Sequence, residues 1–356
     1  MNHIPNSFFK LHLSFMNPTN ALIQFTDKGL HVPQADVYID PWRRVKRALI
    51  THGHADHSRY GMEHYLCTHA AKPVIKYRLG NKINIDSVKF GETTTINGVK
   101  FSFHPAGHII GSAQIRVEYK GEVWVVSGDY KVEKDGLSED FESVKCHTYI
   151  TESTFGLPVY KWKPQAEVFD EINSWWAENK EQGKTSVLTG YSLGKAQRLL
   201  HGLDTSIGKI FTHGAVENTN QILRKQGIKL PDTIKVSKHV TKKDYAGNIV
   251  VCPPSATGNP WMKKLGHTSI GAASGWMLIR GARRRRNVDR GFVLSDHADW
   301  TGLLSAIEAS GAESVFVTHG YSKIFSRYLR EKGYQSAEVM TAYEGDEIEV
   351  EGGNLS

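Results

Sequence analysis

The run Thr51-His52-Gly53-His54-Ala55-Asp56-His57 packs three imidazoles and a carboxylate into seven residues. Such a run makes a poor core segment, because each polar head would need its own buried partner. It makes a good cradle for hard-to-borderline metal ions, which take nitrogen and oxygen ligands converging from one loop. The apolar stretch ahead of it, Arg47-Ala48-Leu49-Ile50, reads as a short strand feeding that loop. A His-x-His-x-Asp-His loop at a strand end points to a two-metal hydrolase. The alternative is a solvated histidine-rich loop.

Other ionisable residues repeat the placement. Asp40 follows Val37-Tyr38-Ile39, His108 sits in Pro105-Ala106-Gly107-His108, and Asp129 follows Val125-Val126-Ser127-Gly128. Glu152 follows Tyr149-Ile150-Thr151, His297 follows Val293-Leu294-Ser295-Asp296, and His319 follows Val315-Phe316-Val317-Thr318. If these runs are strands of a layered α/β domain, their C-terminal ends lie along one rim and the side chains meet in one crevice. Gly53, Gly107, Gly128 and Gly320 would let the backbone turn sharply and approach a metal. Each residue also has a plainer reading. Asp40 before Pro41 can start a turn, His108 can be a bonded core imidazole, Asp129 a turn residue and Glu152 a turn cap. It is their coincidence that favours a site.

The elements that must position these groups are of two textures. Residues 21 to about 160 read as short apolar runs punctuated by Gly, Asn and Asp, a β-rich pattern. Val99–Phe103 and Ile115–Tyr119 alternate, and Val123–Val126 is continuously apolar. Pro164 then opens a helical face of Val168, Phe169, Ile172, Trp175 and Trp176 that Gly183 stops. Ser186–Thr189 reads as a strand, and Ser192 as the cap of a second helix carrying Leu199, Leu200 and Leu203. Alternating signals run to about 290, after which Phe292–Leu294, a helix around Leu303–Ile307 and Val315–Val317 return to the earlier style. The expected divisions are 1–20, an extension; 21–164, the first part of the main domain; 165–288, an inserted α/β unit; and 289–356, its return.

The chain has 356 residues, 40% hydrophobic and 23% charged, enough for a large core and ordinary for a soluble protein. No apolar stretch approaches a membrane span. The N-terminal stretch lacks a small-residue cleavage site and reads as an extension, with Met16 an alternative start. Three dispersed cysteines, Cys67, Cys146 and Cys252, argue against a disulfide framework or a cysteine-zinc site and fit a reducing cytoplasm. A net charge of +7 is compatible with a polyanionic partner. The Gly183-Lys184-Thr185 and Gly190–Lys195 strings both fail the phosphate-loop pattern, so no nucleotide cofactor is expected.

Taken together, Ile39-Asp40-Pro41, the His52–His57 loop, Gly107-His108, Ser127-Gly128-Asp129-Tyr130, Thr151-Glu152-Ser153-Thr154, Ser295-Asp296-His297-Ala298-Asp299 and Thr318-His319-Gly320 resemble a metallo-β-lactamase fold of the β-CASP group. Within that group, Tyr38–Trp42, Pro105–Gln114, Phe155-Gly156-Leu157-Pro158 and Leu193-Gly194-Lys195-Ala196-Gln197-Arg198 are similar to the bacterial ligase-associated DNA exonucleases. The resemblance runs from about residue 21 to the C-terminus. It implies an αββα sandwich with an inserted α/β β-CASP cap. It also implies two Zn2+, with Mn2+ as a substitute. His52, His54 and His108 would hold the first ion, Asp56, His57 and His319 the second, and Asp129 would bridge them. Asp40 would orient a ligand imidazole.

Two divalent ions in one crevice activate water at neutral pH and clamp a phosphodiester for in-line attack. Such a reaction also needs an acid for the departing sugar oxygen. His297 is the candidate, with Glu152 bonded to it and favouring its protonated form. Arg280 and the run Arg283-Arg284-Arg285-Arg286 would track the phosphates of an entering strand, against the plainer reading of a solvated charged loop. Trp300 and Tyr191 are candidates for base stacking or for packing. The expected activity is a 5′ to 3′ DNA exonuclease in repair, beside a DNA ligase and a helicase. The rival is an RNA-processing nuclease, because His319 is a residue that the eukaryotic DNA-specific branch of the group typically lacks. A non-catalytic nucleic-acid scaffold fits less well with a complete ligand set.

Overall fold

The computed structural model describes residues 21–237, 239–279 and 288–342. Arg280, Arg283, Arg284, Arg285 and Arg286, and the N-terminal stretch 1–20, lie outside the described residues. The chain forms two compact units. Among the described residues, one takes 21–134, Glu139–Leu157 and 300–342; the other takes Asp135–Ser138 and Pro158–Asp299.

The first unit is a pair of sheets. One sheet orders β1 (Gln24–Phe25), β2 (Leu30–Val32), β3 (Val37–Ile39), β4 (Arg47–Leu49), β5 (His64–Thr68) and β6 (Ile85–Val88) in chain sequence. The strands from β3 to β6 run parallel. The other contains β7 (Thr93–Ile96), β8 (Val99–Pro105), β9 (Ala113–Tyr119), β10 (Glu122–Val126) and β11 (Thr148–Ser153), and β11 pairs in parallel with β18 (Ser314–Gly320). The last strand among the described residues, β19 (Gln335–Glu338), pairs in parallel with β18 at that edge.

Alternation does the layering. Val99, Phe101 and Phe103 of β8 and Ile115 and Val117 of β9 share one buried cluster with Val37, Ile39 and Leu49 of the first sheet, so the two sheets face each other. Each such side chain contributes about 1.5–3 kcal/mol on burial. The opposite face of the first sheet, Ala48, Tyr65 and Cys67, is covered by Ala71 and Ile75 at and within α1 (Lys72–Leu79). α6 (Trp300–Ser310) packs on β11, and α7 (Ser322–Glu331) on β18 and β19. The layers are therefore α, β, β, α, as the resemblance implied. Trp300 is buried and packs edge-on against Phe325 and Tyr328 at 5.5 and 4.7 Å, so of its two readings packing is the observed one.

The second unit has an all-parallel sheet of β12 (Thr185–Thr189), β13 (Ile210–Thr212), β14 (Ile234–Lys235), β15 (Ile249–Cys252), β16 (Thr268–Ala273) and β17 (Arg290–Phe292). Its spatial order is β14-β13-β15-β12-β16-β17. Leu188, Ile249 and Val251 face one cluster, Val187, Val250 and Cys252 the other, so both faces are covered. α2 (Gln165–Glu181) buries Val168, Ile172, Trp175 and Trp176 on one stripe, as their spacing dictates. α3 (Lys195–Gly202) corrects one expectation. Its cap residue is Gly194, whose N–H reaches the Gln197 side chain at 2.8 Å, and Ser192 contributes only a carbonyl to Gln197. The glutamine at the third helical position reaches back to accept the cap's own N–H, the second half of a capping box. α4 (Gly214–Lys225) and the one-turn α5 (Lys242–Tyr245) complete the helices used below. No helix among the described residues is long and apolar enough to cross a membrane.

Candidate metal centre

Parallel pairing puts strand ends on one rim. β3 and β4 are neighbours in register, Ile39 opposite Leu49. The Asp40 N–H therefore reaches Leu49 O at 2.9 Å, and the Asp40 carboxylate accepts the Thr51 N–H at 2.8 Å. In the second sheet β10, β11 and β18 are parallel neighbours, which brings the residues after or at their C-terminal ends, Asp129, Glu152 and His319, to one side. β8 reaches the same side after two antiparallel steps, and His108 follows it.

The result is a cluster of donor atoms. His52, His54, His108 and Asp129 offer ligand atoms that all lie within 4.8 Å of one another, as do those of His57, Asp129 and His319. His54 Nδ1 stands 3.2 Å from His52 Nε2 and 3.0 Å from His108 Nε2. Asp129 lies between the two groups. Its Oδ2 is 3.4 Å from His52 Nε2 and 3.8 Å from His108 Nε2; its Oδ1 is 3.4 Å from His57 Nε2 and 3.0 Å from His319 Nε2. Asp56 approaches His57 Nε2 at 3.7 Å and is the most exposed acid of the set.

Neighbouring hydroxyls and an acid fix which nitrogen of each ring faces inward. Thr51 Oγ1 donates to Asp40 Oδ2, so the contact of 3.1 Å between Thr51 Oγ1 and His52 Nδ1 is a ring N–H donating to the hydroxyl. Thr318 Oγ1 donates to Thr151 O at 3.0 Å and likewise receives His319 Nδ1–H at 3.2 Å. His57 Nδ1–H donates to Asp40 Oδ2 at 2.7 Å. In the neutral form of all three rings Nε2 is then the lone-pair atom, and it points at a carboxylate. Lone pair against carboxylate repels; a cation between them turns that repulsion into attraction. The donor set fits a divalent metal, with imidazole nitrogens and carboxylate oxygens in the mixture zinc accepts.

Without metal the charges compensate by proton uptake. Burial opposes a charged His57, yet Asp129, Asp56 and the bond to Asp40 outweigh it and hold its pKa well above 6.5. Burial likewise opposes an ionised Asp129, but His57 and His319 keep it well below 3.8. His52, dominated by burial, is pushed well below 6.5. Asp40 is raised by burial despite its bonds to His57 and Thr51.

The backbone is shaped around these groups. Asp40 holds φ at 42°, a left-handed value uncommon for a side chain other than glycine, and the carboxylate's three bonds account for the residue there. Gly107, at φ 73°, lies so close to Lys131 that a Cβ would sit 2.1 Å from its carbonyl oxygen. Gly53 shows no such requirement: its φ is not among the positive ones. Glu152 is buried and accepts Tyr130 N–H at 2.8 Å and Thr154 N–H at 3.4 Å, which also makes it the cap of its own turn. His297 is buried in the second unit, its N–H on Ser295 Oγ at 3.1 Å and its carbonyl accepting Trp162 Nε1–H at 3.0 Å.

Sequence reasoning missed three contributors. Thr51 and Thr318 set ring tautomers, and a threonine directly before a candidate ligand histidine was the available signal. Arg78 of α1 donates to Gly53 O and to Ser58 Oγ, the latter at 2.6 Å, and so pins the histidine loop. Nothing in its helical context marks it.

No family model matches the chain. A probable DNA ligase of Opitutus terrae is 31% identical over 311 residues, which is 86% of this chain and 30% of that protein. The cleavage and polyadenylation specificity factor subunit 3-I of Arabidopsis thaliana is 28% identical over 47% of this chain and 28% of its own length. The endoribonuclease ysh-1 of Neurospora crassa is 27% identical over 45% of this chain and 23% of its own length. The chain thus spans less than a third of each of these relatives. A crystal structure of a protein of unknown function from Enterococcus faecalis shares the fold with a TM-score of 0.58, at 11% identity over 83% of this chain and 79% of that one. These relatives, the mixed α/β architecture and a donor cluster fit for divalent metal are consistent with a metallo-β-lactamase fold of the β-CASP group.

Proposed function

We propose that the chain is a two-zinc phosphodiesterase that degrades DNA from its 5′ end in repair. One observation carries the reading: five imidazoles and Asp129, carried by four strand ends, converge with Asp129 in the middle, in a chain whose relatives include endoribonucleases and a ligase-named protein covering 86% of it. His52, His54, His108 and Asp129 would hold one ion; His57, His319, Asp56 and Asp129 the other. When bound, the pair supplies Lewis-acid charge and a water that is deprotonated near neutral pH.

The chain's own residues do the rest. Asp40 and Thr51 hold the inward nitrogens of His57 and His52 in place. His297 is the acid: as the water oxygen bonds to phosphorus and the P–O bond to the sugar breaks, the imidazolium proton passes to the departing oxygen. Glu152 is its orienting partner. Arg280 and Arg283–Arg286 hold strand phosphates, so their alanine variant binds with a shallower salt slope. The ligase name of one relative supports a working association with a ligase; a helicase acting on the same ends is the further partner of this reading.

A second reading, an RNA-processing nuclease, is favoured by His319 and by the endoribonuclease relatives. Matched 5′-labelled DNA and RNA strands, digested with and without chelator, separate the two. Chelator-sensitive release of nucleotides from the DNA 5′ end is the expected result. Faster internal cleavage of the RNA selects the second reading, and no cleavage of either retires both.

A further inference from the structure

Resting on the reading of His297 as the acid, we propose that Lys195 and Arg198 of α3 are positioning residues for His297. They act through Asp296 and the backbone that leads into it. The two sit three apart on the first turn of α3, hence on one face. Both are buried, at 1% and 3% exposure, which long cations tolerate only when paired. Lys195 Nζ lies 3.0 Å from Asp296 Oδ2 and donates to Leu294 O at 3.3 Å. Arg198 Nη1 lies 3.1 Å from Asp296 Oδ1 and also donates to Ser295 O. Three consecutive residues before His297 are thus tied to one helix face, with each carboxylate oxygen assigned to a different cation.

The surroundings are built for this arrangement. Arg198 is aimed by Gln165 Oε1, which accepts from Nε at 3.2 Å and from Nη2 at 2.9 Å. Gly190 leaves the space for the lysine stem: a Cβ there would sit 2.7 Å from Lys195 Cγ. His297 is held on its own account by Ser295 Oγ and Trp162, whose backbone N–H also bonds Asp299 at 3.0 Å. A buried ion pair is a poor source of stability compared with apolar packing, and two cations on one carboxylate are more than balance requires. Fixing a loop is what the excess achieves. The lysine of a glycine-lysine string that fails as a phosphate loop is used here as an anchor.

The test compares two substrates. One is an oligonucleotide; the other is the same strand with the leaving oxygen of the scissile linkage replaced by sulfur, which departs as thiolate without a proton. Lys195→Met and Arg198→Met are expected to lower kcat on the oxygen substrate by about 10–100-fold. KM and metal content stay unchanged, and on the sulfur substrate the loss stays within about threefold. Arg198→Lys keeps the charge but cannot reach both Asp296 and Ser295 O, and shows a smaller split in the same sense; it carries the test if the methionine variants do not fold. Equal losses on the two substrates overturn the positioning role. His297→Ala is the control. If it shows the split and the α3 variants do not, only the positioning role falls. If it shows equal losses itself, the acid assignment falls and this inference with it.

Discussion

Thr-His-Gly occurs three times in this chain, each time at or just beyond the C-terminal end of a strand: at Thr51–Gly53, Thr212–Gly214 and Thr318–Gly320. In the first and last, the threonine hydroxyl takes the Nδ1 hydrogen of the next histidine and Nε2 faces Asp129 at 3.4 and 3.0 Å. In the middle copy, Thr212 donates to Glu217 at 2.7 Å instead, and His213 Nδ1 accepts Ala215 N–H at 3.2 Å as the cap of α4. Its ring packs edge-on to Trp261 at 5.1 Å, and burial, with Lys235 behind it, pushes its pKa below 6.5. One tripeptide offers candidate ligands in one unit and a helix cap in the other. What decides is the hydroxyl's acceptor and the charge opposite Nε2. A buried carboxylate makes a site; a helix N-terminus makes a cap.

The strongest way to break this contrast is to remove the carboxylate. Asp129→Asn is expected to abolish metal retention and lower activity by at least about 10³-fold, the scale of losing preorganised charge, with the fold retained. His213→Ala, at the middle copy, is expected to leave activity and metal content unchanged. Steady-state rates and elemental analysis on both variants read the difference. The charged cluster of the second unit should behave in the opposite sense: Asp296→Ala leaves Lys195 and Arg198 buried without their shared carboxylate. Denaturant unfolding is expected to register a loss of about 3–5 kcal/mol, while metal content holds.

Asp40→Asn keeps the shape and spoils the acceptor for His57 and Thr51, and metal affinity should fall about 10–100-fold. A competition titration measures it; an unchanged affinity would mean that the ring orientations do not depend on Asp40.

The pH dependence sharpens the same point. His57 in the metal-free protein is protonated at neutral pH because its pKa is raised, so metal must expel that proton and apparent affinity rises with pH. Calorimetry in buffers of different ionisation heat should show about one proton released on filling the His57 side. Stability of the metal-free chain follows the same groups. The His57 contribution is full below 6.5 and is lost as pH rises through its raised folded value; the Asp129 contribution is present above 3.8 and is lost as pH falls through its lowered one.

The smallest expected effect is at the thiols. Burial pushes Cys67 and Cys252 up to about 12 and Cys146 up to about 11, so the native protein should not react with a thiol reagent at pH 8 on the timescale that labels the unfolded chain. Rapid native labelling would contradict their burial.

Much of this was legible because strand-end placement leaves a linear trace. The apolar runs before Asp40, His52, Asp129 and His319 are β3, β4, β10 and β18, and the helical face from Val168 to Trp176 is that of α2. What was not legible depends on partners distant in sequence. Arg78 grips Gly53 from a helix whose pattern gives no sign of it, and Gly194, its N–H bonded to Gln197, stands at the cap position expected of Ser192. Asp296, read only as a neighbour of His297, is held by side chains about a hundred positions earlier. Periodicity records which face an element buries, but not which polar heads meet there.

The central claim is that the ring nitrogens around Asp129 exist to hold cations. Elemental analysis of the purified chain, with Asp129→Asn beside it, tests this most directly. The account predicts close to two divalent ions per wild-type chain and their loss from the variant together with chelator-sensitive cleavage of nucleic acid. A wild-type chain without stoichiometric metal, cleaving nucleic acid undisturbed by chelator, would contradict it.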